Sequence, residues 1–486
     1  MSRLHPMLQP YVPSEKDPFD RVKAAHLLNR AGFGGTLAEI DRVVEMGPQR
    51  ALDWLFDFPD AAADEQSEAD VPDLSAIDGY PRNFRELRAM YNGKTPDERM
   101  ALRQQLQRAN TEALAAIVNW WLTRMARGPH PFQEKLTLFW HGHFTTSARE
   151  ERSSLLMWQQ NELLRRQSAG NFREFVRQVS RDPAMIDYLN NQQNRKQRPN
   201  ENYARELMEL FTLGIGNYTE QDIKEAARAF TGWHHDGENF IFRRDQHDFD
   251  SKTFMGRTGN FDGDEVIDII LQHRACAPYI TSRLFEFFVY ESPEPQVVSG
   301  LGQILRDARW ELRPLLRAML GSRAFYSERA IGAQIKSPIQ LVIGTIRALE
   351  IDMPPTQALV GALRRMGQVP LAPPNVKGWP GGRMWINTST LFVRYNSAVA
   401  LAGELPQVRG QPVRNALRNN LAPRYDVDTS GSPSAIVDHW VQRLIQRPIA
   451  EEKRAVLAEA LGQRPGEADV RRMIQLIVSM PEYQLC

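Results

Sequence analysis

The segment TPDERMALRQQLQRANTEALAAIVNWWLTRMARG, residues 95–128, decides the fold class, because it reads as one uninterrupted helix. Thr95 and Glu98 have the spacing of a capping box, in which the two side chains satisfy free backbone N–H groups at the start of a helix. Gly128, followed by a proline, is typical of a helix end. The segment therefore predicts one long α-helix.

Helical periodicity continues on both sides of this segment. Apolar residues recur at three- and four-residue spacing in 20–33 and 37–47. Similar patterns predict further helices over 131–142, 151–168, 171–180, 200–213, 219–230, 263–290, 296–306, 311–321, 333–350, 355–366, 434–446, 450–462 and 467–479. Thr219 and Asp222 form a second expected capping box.

Strand patterns are few. The best is HHDGENFIFRRDQHDFD, residues 234–250, where an Asp-Gly turn precedes the short apolar run FIF. Three stretches, 60–80, 367–390 and 404–433, are predicted to be loops or linkers. We expect a mainly α, multi-helical protein with two packed helical halves, 1–232 and 263–486, and a short β-hairpin or irregular insertion at 233–262.

Composition excludes several classes of protein. The 486 residues include 60 Lys+Arg and 59 Asp+Glu, and this balance gives no general attraction to nucleic acid or anionic lipid. The two cysteines do not favour a Cys-based metal site. No stretch approaches the ~18 apolar residues of a membrane span, and no leader pattern is visible. A soluble cytoplasmic protein is the default expectation, although a trimmed leader would leave the same sequence.

The stretch FWHGHF, residues 139–144, places His141 and His143 beside Trp140 in an apolar setting. A helix is expected to run to Trp140 and to break near Gly142. In a turn, both imidazoles could converge on one divalent metal ion, since His is the commonest metal ligand. They could also serve another role at a site, or be structural histidines at a helix C-terminus, where positive charge is favoured.

The stretch RPNENYARELMELFTLGIGNYTEQDIKEAARAFTGW, residues 198–233, carries Glu206 and Glu209 on one helix face. A pair of carboxylates can bind a metal ion or perform acid–base catalysis. The alternative is a pair of ion pairs with neighbouring arginines such as Arg205 on a solvated face. The tight turn and Trp233 that follow favour a functional role.

The stretch DQHDFDSKTFMGRTGNFDGDE, residues 245–265, concentrates His247, Asp248 and Lys252 in a predicted loop. Loops carry functional residues more often than the elements that they connect. Such a cluster can bind an anion, ligate a metal ion or relay a proton.

The stretch MGQVPLAPPNVKGWPGGRMWINTST, residues 366–390, is too rich in Pro and Gly for a long helix or a central strand. It presents Trp379 and Trp385 together with Asn375 and Arg383. Flat aromatic rings beside amide and cationic donors suit a sugar or another polar ring-bearing ligand. The alternative is a loop that covers the core and whose tryptophans fill a gap.

These stretches, together with HLLNRAGFGG (26–35) and PPNVKGWPGGRMWIN (373–387), resemble the large bacterial family called domain of unknown function 1800, from about residue 20 to 480. The resemblance brings no catalytic residues with it. It implies a partner, a sulfatase-like protein encoded nearby, and an occurrence in bacteria that process polysaccharides. Many relatives carry leaders, so export together with the partner stays open.

We expect the motif stretches to converge on one cleft, because ionisable groups clustered in a cleft are typical of a functional site. The predicted catalytic residues are Glu206, Glu209, His247, Asp248 and Lys252. The predicted substrate-binding residues are Trp140, Trp233, Trp379, Trp385, Arg383 and Asn375, and the predicted metal ligands are His141 and His143.

The predicted function is a hydrolase-like enzyme acting on a glycan or a glycan ester. One of the two glutamates would act as general base or metal ligand, His247 and Asp248 would supply the partner acid or further ligands, and Lys252 would stabilise negative charge. The alternative is a non-enzymatic scaffold or chaperone-like partner of the sulfatase-like protein. No P-loop, G-x-S-x-G or H-E-x-x-H pattern is present, which disfavours three common enzyme classes.

Overall fold

The computed structural model describes residues 5–59, 71–81, 83–151, 153–403, 425 and 427–486. In this part of the chain the fold is mainly α, as predicted. The loop predicted over 60–80 falls partly outside the described residues, and so does most of the linker predicted over 404–433. Where the chain is described, no helix is both long and apolar enough to cross a membrane.

The α-helices of the described residues are α1 (Arg21–Ala31), α2 (Leu37–Leu55), α3 (Phe84–Tyr91), α4 (Pro96–Arg127), α5 (Pro131–His143), α6 (Ala148–Glu151), α7 (Ser154–Arg166), α8 (Phe172–Arg181), α9 (Pro183–Tyr188), α10 (Asn202–Glu206), α11 (Glu220–Ala229), α12 (Gly263–Gln272), α13 (Cys276–Phe288), α14 (Pro295–Asp307), α15 (Leu312–Leu320), α16 (Pro338–Leu349), α17 (Thr356–Met366), α18 (Thr388–Leu401), α19 (Pro433–Leu444), α20 (Glu451–Leu461) and α21 (Glu467–Val478). A π-helix, Leu207–Thr212, continues α10. Two antiparallel hairpins pair β1 (Trp233–His235) with β2 (Phe240–Phe242), and β3 (Lys252–Phe254) with β4 (Arg257–Gly259).

The long helix that decides the fold class is confirmed as α4. Thr95 and Glu98 form both hydrogen bonds of the capping box, and Gly128 is the C-cap. The second expected box, Thr219 with Asp222, caps α11 in the same way. Capping residues therefore identified these helix ends from the sequence alone.

The sequence patterns did not predict α3, α9, α18 or the hairpin β3–β4. The single helix predicted over 263–290 is wrong, since the structure has α12 and α13 there. Pro278 explains the break, because proline lacks the N–H that a continuous helix would need. In the structure Pro278 lies in the first turn of α13, where no intrahelical N–H bond is lost.

Buried apolar side chains form two clusters. The first core is built from residues between Leu8 and Ala330, and the second mainly from α4 and from residues between Ile339 and Tyr483. Helix α5 contributes to both, with Leu136 in the first and Leu138 in the second. The division into halves at 233–262 stays a prediction.

A buried ionic network fixes α5 against α4 and α7. Glu134 of α5 is fully buried and accepts hydrogen bonds from Arg124 at 2.7 Å, Arg165 at 2.9 Å and the indole of Trp121 at 2.8 Å. Burial alone would raise the pKa of Glu134, but the two arginines outweigh it and hold the pKa below its ordinary value. The carboxylate therefore stays charged, and the three helices share one anchor for the site described next.

Candidate functional site

A cleft of about 570 Å³ opens beside α5 and the segment that we call the Trp379 loop, residues 373–387. Helix α5 lines it with residues spaced three and four apart, among them Lys135, Phe139 and Gly142. This spacing places them on one face of the helix. The other side is formed by α13, the segment after it and the start of α16, through Arg283, Glu286, Phe287, Glu291, Ser292, Ser337 and Gln340.

The helix break predicted near Gly142 is wrong. Helix α5 continues through His143, and the N–H of Phe144 donates to the carbonyl oxygen of Trp140 at 2.7 Å. Residues two apart on an α-helix differ by roughly 200° in direction. His141 and His143 therefore point to different sides and do not converge on one ion, contrary to the expected turn. No group of three or more His, Cys, Asp or Glu side chains in the described residues is arranged to hold a metal ion.

The Trp379 loop is pressed against α5 at Gly142. A Cβ atom on Gly378 would lie 2.1 Å from the carbonyl oxygen of Gly142, and the φ angle of Gly378 is +81°. On the other side, a Cβ on Gly142 would lie 3.4 Å from the Trp379 ring. Only glycine combines this backbone angle with this close approach. The motifs HGH and KGW, which are far apart in the sequence, thus form one packed unit.

His143 lies in the wall of the cleft and is only 4% exposed. Its Nε2 atom lies 3.0 Å from the carbonyl oxygen of Phe211. Because a carbonyl oxygen can only accept, Nε2 carries the hydrogen and Nδ1 carries the lone pair. Burial, and to a smaller extent the charge of Arg283, lowers the pKa of His143 to about 3. The ring is therefore neutral near pH 7 and can accept a proton or a hydrogen bond at Nδ1.

The π-helix presents the carbonyl group that orients His143. The sequence predicted one α-helix over 200–213, but the structure has α10 followed by the wider π turns. Near its end, the carbonyl oxygens of Leu210 and Phe211 accept hydrogen bonds from side chains, Tyr279 at 2.8 Å and His143 at 3.0 Å. π-Helical segments are rare and are frequent at functional sites. This one contributes to the site through its backbone.

His141 lies under the Trp379 loop and is fully buried. Its ring centre is 5.7 Å from that of Trp121 and 5.3 Å from that of Trp379. Neither ring nitrogen of His141, nor the indole nitrogen of Trp379, has a hydrogen-bond partner in the described structure. Burial lowers the pKa of His141 to about 3, so this ring is also neutral near pH 7.

Lys135 is a cleft residue that sequence reasoning missed. It is 4% exposed, and its amine lies 5.1 Å from the ring centre of Phe33 and 5.5 Å from that of Phe287. Burial lowers the pKa of Lys135 to about 7. The available sequence signal was its position four residues before Phe139, on the apolar face of a predicted helix.

Glu206 interacts electrostatically with Lys377 of the Trp379 loop and with Glu209. Burial and the charge of Glu209 raise the pKa of Glu206, whereas Arg205 and Lys377 act to lower it. Glu209 accepts a hydrogen bond from the hydroxyl of Tyr218 at 3.0 Å. Lys377 lines the cleft, but neither Glu206 nor Glu209 does so in the described structure. Arg205 forms its ion pairs with two other glutamates, so the expected pairing with Glu206 and Glu209 is not seen.

The structure does not bring His247, Asp248 and Lys252 to the cleft. His247 bonds a backbone carbonyl through Nδ1 at 2.7 Å, and Asp248 accepts from Arg228 at 2.7 Å. Lys252 donates to two backbone carbonyls of the same loop at 2.7 and 3.0 Å. These partners are local, and in the described structure none of them lines the cleft. The expected convergence is therefore absent for this segment, because His247 and Asp248 bond to Thr231 and Arg228 at and just after the end of α11, and Lys252 bonds within its own loop.

The Trp379 loop places both of its tryptophans on the cleft. Trp379 is partly buried and Trp385 is 5% exposed. Asn375 and Arg383 are exposed on the same loop, and Asn375 shapes its turn by accepting the N–H of Lys377 at 2.9 Å.

The other two predicted substrate-binding tryptophans belong to the core. Trp140 is fully buried, and its indole donates to the carbonyl oxygen of Ser168 at 2.7 Å. Trp233 is 4% exposed, with the guanidinium of Arg181 5.3 Å from its ring centre. Neither lines the cleft, and neither has a free face for a ligand.

Comparison with known proteins places the chain in a family. Searches of the curated proteins and of the solved structures returned no match to it. The family model described as "Protein of unknown function (DUF1800)" matches residues 26–485, nearly the whole chain. This range contains α5, the π-helix and the Trp379 loop, and the protein belongs to this family of unknown function.

Proposed function

We propose that the protein is a hydrolase that binds a glycan or a glycan ester in the cleft, with His143 as the acid–base residue. The observation that carries the proposal is the orientation of His143. The Nε2–H group of His143 donates to the carbonyl oxygen of Phe211, so the lone pair is on Nδ1 of a neutral ring that lines the cleft wall. A ring nitrogen that is unprotonated and fixed in orientation can act as a general base.

In this mechanism His143 takes a proton from an attacking water through Nδ1. The imidazolium then returns the proton to the leaving oxygen, so that the ring ends the cycle neutral. Arg283 and Lys377, both on the cleft, supply positive charge for the oxyanion that develops when the substrate is an ester. Glu206, whose pKa is raised by burial and by Glu209, is retained as the second proton-transfer candidate.

The aromatic residues of the Trp379 loop support a ring-bearing ligand. An indole ring offers a flat apolar surface to the C–H face of a sugar, while the surrounding polar groups bind its hydroxyls. Gln334, Ser337 and Gln368 line the same cleft and can act as such polar groups.

The test compares two buried histidines. His143→Gln is expected to lower kcat/KM at least about 100-fold on a panel of chromogenic glycosides and acetylated glycan esters, because the proton acceptor is lost. His26→Gln is the matched control, since His26 is also 4% exposed and bonds a carbonyl oxygen, that of Phe325, at 2.9 Å, but does not line the cleft. Equal loss in both variants, or full activity of His143→Gln, would contradict the proposal.

A second candidate is the scaffold role, with the sulfatase-like protein as partner. It is favoured by two exposed apolar side chains, Met384 of the Trp379 loop and Phe392 of α18, which are 72% and 70% exposed. If this role is correct, the double variant Met384→Ser/Phe392→Ser loses co-purification with the partner. The assay on glycosides and glycan esters then shows no activity that depends on His143. Retained co-purification would argue against the scaffold role.

A further inference from the structure

One end of the cleft is defined by Lys135. Lys135 precedes His143 by eight residues on α5, roughly 12 Å along the helix axis. Phe139 lies between them on the same face, with its ring stacked on His143 at a centre distance of 5.8 Å. A ligand held at His143 can therefore reach the Lys135 amine only with a substituent roughly 12 Å away, which is the reach of an oligosaccharide and not of a single sugar.

The amine of Lys135 lacks the partners that a buried lysine normally has. In the described structure it forms no ion pair and no hydrogen bond, and it lies over the faces of Phe33 and Phe287. Lysines are rarely buried unless they are paired. The residue nevertheless lines an open cleft, where an ion from solution can reach it.

Two further buried cations, Arg30 and Arg394, interact electrostatically with Cys486 as Lys135 does. Arg30 is 1% exposed and donates to the carbonyl oxygens of Phe288, at 3.0 Å, and Val289. Arg394 is fully buried, and its Nη1 atom has no partner among the described residues. Neither guanidinium has a carboxylate partner in the described part of the chain.

The carboxylates that line the cleft, Glu286 and Glu291, form no ion pair with a buried cation among the described residues. Four buried cations interact electrostatically with Cys486, namely Arg30, Lys135, Lys336 and Arg394. Within the described part of the chain, Cys486 favours the charged form of Lys135 and Arg30 opposes it. The N-terminus of α16, where the helix dipole is positive, opens on the same cleft through Ser337 and Gln340. Buried charge without a counter-ion is unfavourable, so an anionic ligand would stabilise this region.

We propose that the Lys135 end of the cleft is a subsite for an oxyanion on the ligand, either the carboxylate of an acidic sugar or a sulfate ester. This inference rests on the proposed function, because the anion is a substituent of the glycan bound beside His143. Lys135 binds the oxyanion directly, and the charge of Arg30 strengthens the local positive potential. The subsite gives the cleft its preference for acidic over neutral glycans.

The test uses ligands that differ in charge. Titration calorimetry is carried out with tri-galacturonate, with its methyl ester, which is the neutral counterpart, and with a sulfated trisaccharide. The wild-type protein is expected to bind at least one anionic ligand about 10- to 100-fold more tightly than the methyl ester. Lys135→Met is expected to remove this preference and to leave the affinity for the methyl ester unchanged. The stronger of the two anionic ligands identifies the oxyanion.

Two controls separate charge from folding. Lys23 is also buried, at 8% exposed, but it forms an ion pair with Asp17 at 2.6 Å and does not line the cleft. The control variant Lys23→Met is therefore expected to keep the preference for anionic ligands. Lys135→Gln repeats the test if Lys135→Met does not fold. The subsite is overturned if the wild type shows no preference for either anion, or if Lys135 variants weaken charged and neutral ligands equally.

The subsite and the hydrolase proposal can fail separately. His143→Gln is expected to retain the preference for anionic ligands. A wild-type protein that shows this preference but hydrolyses none of the ligands supports the subsite and contradicts the hydrolase. Hydrolysis that depends on His143 but not on ligand charge contradicts the subsite alone.

Discussion

At the scale of single residues, His141 carries a free-energy cost that the fold has to offset. Its two ring nitrogens are buried without hydrogen-bond partners in the described structure. A buried polar group without a partner costs about 1–3 kcal/mol. Unsatisfied groups of this kind persist where water, an ion or a ligand supplies the missing bond, or where the group has a function. The unpartnered indole nitrogen of Trp379, whose ring packs on His141, belongs to the same feature.

The variant His141→Leu tests whether the buried imidazole of His141 destabilises the folded protein. Leucine fills a similar volume without polar atoms, so the free energy of unfolding at pH 7 is expected to rise by about 1–2 kcal/mol. Binding of glycan ligands is expected to weaken, because the Trp379 loop rests on this ring. Urea unfolding and calorimetry measure the two effects. A variant that is less stable than the wild type at pH 7 would show that the nitrogens have partners in solution.

Lowering the pH should increase the difference in the free energy of unfolding between His141→Leu and the wild type. The pKa of His141 is about 3 in the folded protein, whereas the ordinary value is 6.5. Between these values the unfolded chain binds a proton that the folded chain does not, so wild-type stability falls as the pH is lowered from 6.5 towards 3. His141→Leu lacks this loss, so its advantage should grow by about 1.4 kcal/mol per pH unit. A constant advantage between pH 6.5 and 5 would contradict the low pKa.

At the scale of elements, the contact between α5 and the Trp379 loop depends on Gly378. Gly378→Ala adds a Cβ atom 2.1 Å from the Gly142 carbonyl oxygen and strains a residue with a φ angle of +81°. The loop must move, and the free energy of unfolding is expected to fall by about 2–4 kcal/mol. Gly381→Ala is the matched control, since a Cβ there meets nothing within 4 Å and the φ angle of Gly381 is −103°. Thermal unfolding that is equal in the two variants would contradict the contact.

Elements with strong local patterns could be predicted, and those that depend on distant partners could not. Helix α4 has a capping box and a glycine C-cap, and both are visible in the sequence. Helix α18 has the sequence TSTLFVRYNSAVAL, rich in β-branched and polar residues, and its helical state depends on packing against α16, α17 and α21. The π-helix has no distinct sequence signature, so 200–213 was read as ordinary α-helix.

The candidate site shows the same limit. The sequence identified HGH and the Trp379 loop as unusual, and the structure joins them through Gly142 and Gly378. The sequence could not indicate that His247 bonds to the backbone carbonyl of Thr231, because this bond depends on where that carbonyl lies in space. Lys135 was missed because a lysine in a helical pattern is usually exposed to solvent.

At the scale of the whole molecule, α5 joins the two cores. Its Leu136 belongs to the first core and its Leu138 to the second. The cleft lies against this same helix, so its geometry depends on both cores. The Glu134 network adds a second link, because it ties α5 to both α4 and α7. These shared elements favour coupled unfolding of the two cores.

Two large-to-small substitutions test this coupling. Leu316→Ala, in the first core, and Ile346→Ala, in the second, remove side chains that are 0% and 2% exposed, and each should lower the free energy of unfolding by about 2–5 kcal/mol. Hydrogen exchange in urea, followed on peptides from both cores, should show that either substitution reduces protection in both. Loss confined to the altered core would mean that the cores unfold separately. In that case α4 should unfold with the second core, and the chain after the hairpins should divide between Ala330 and Ile339, because Trp233 and Phe254 are packed within the first core.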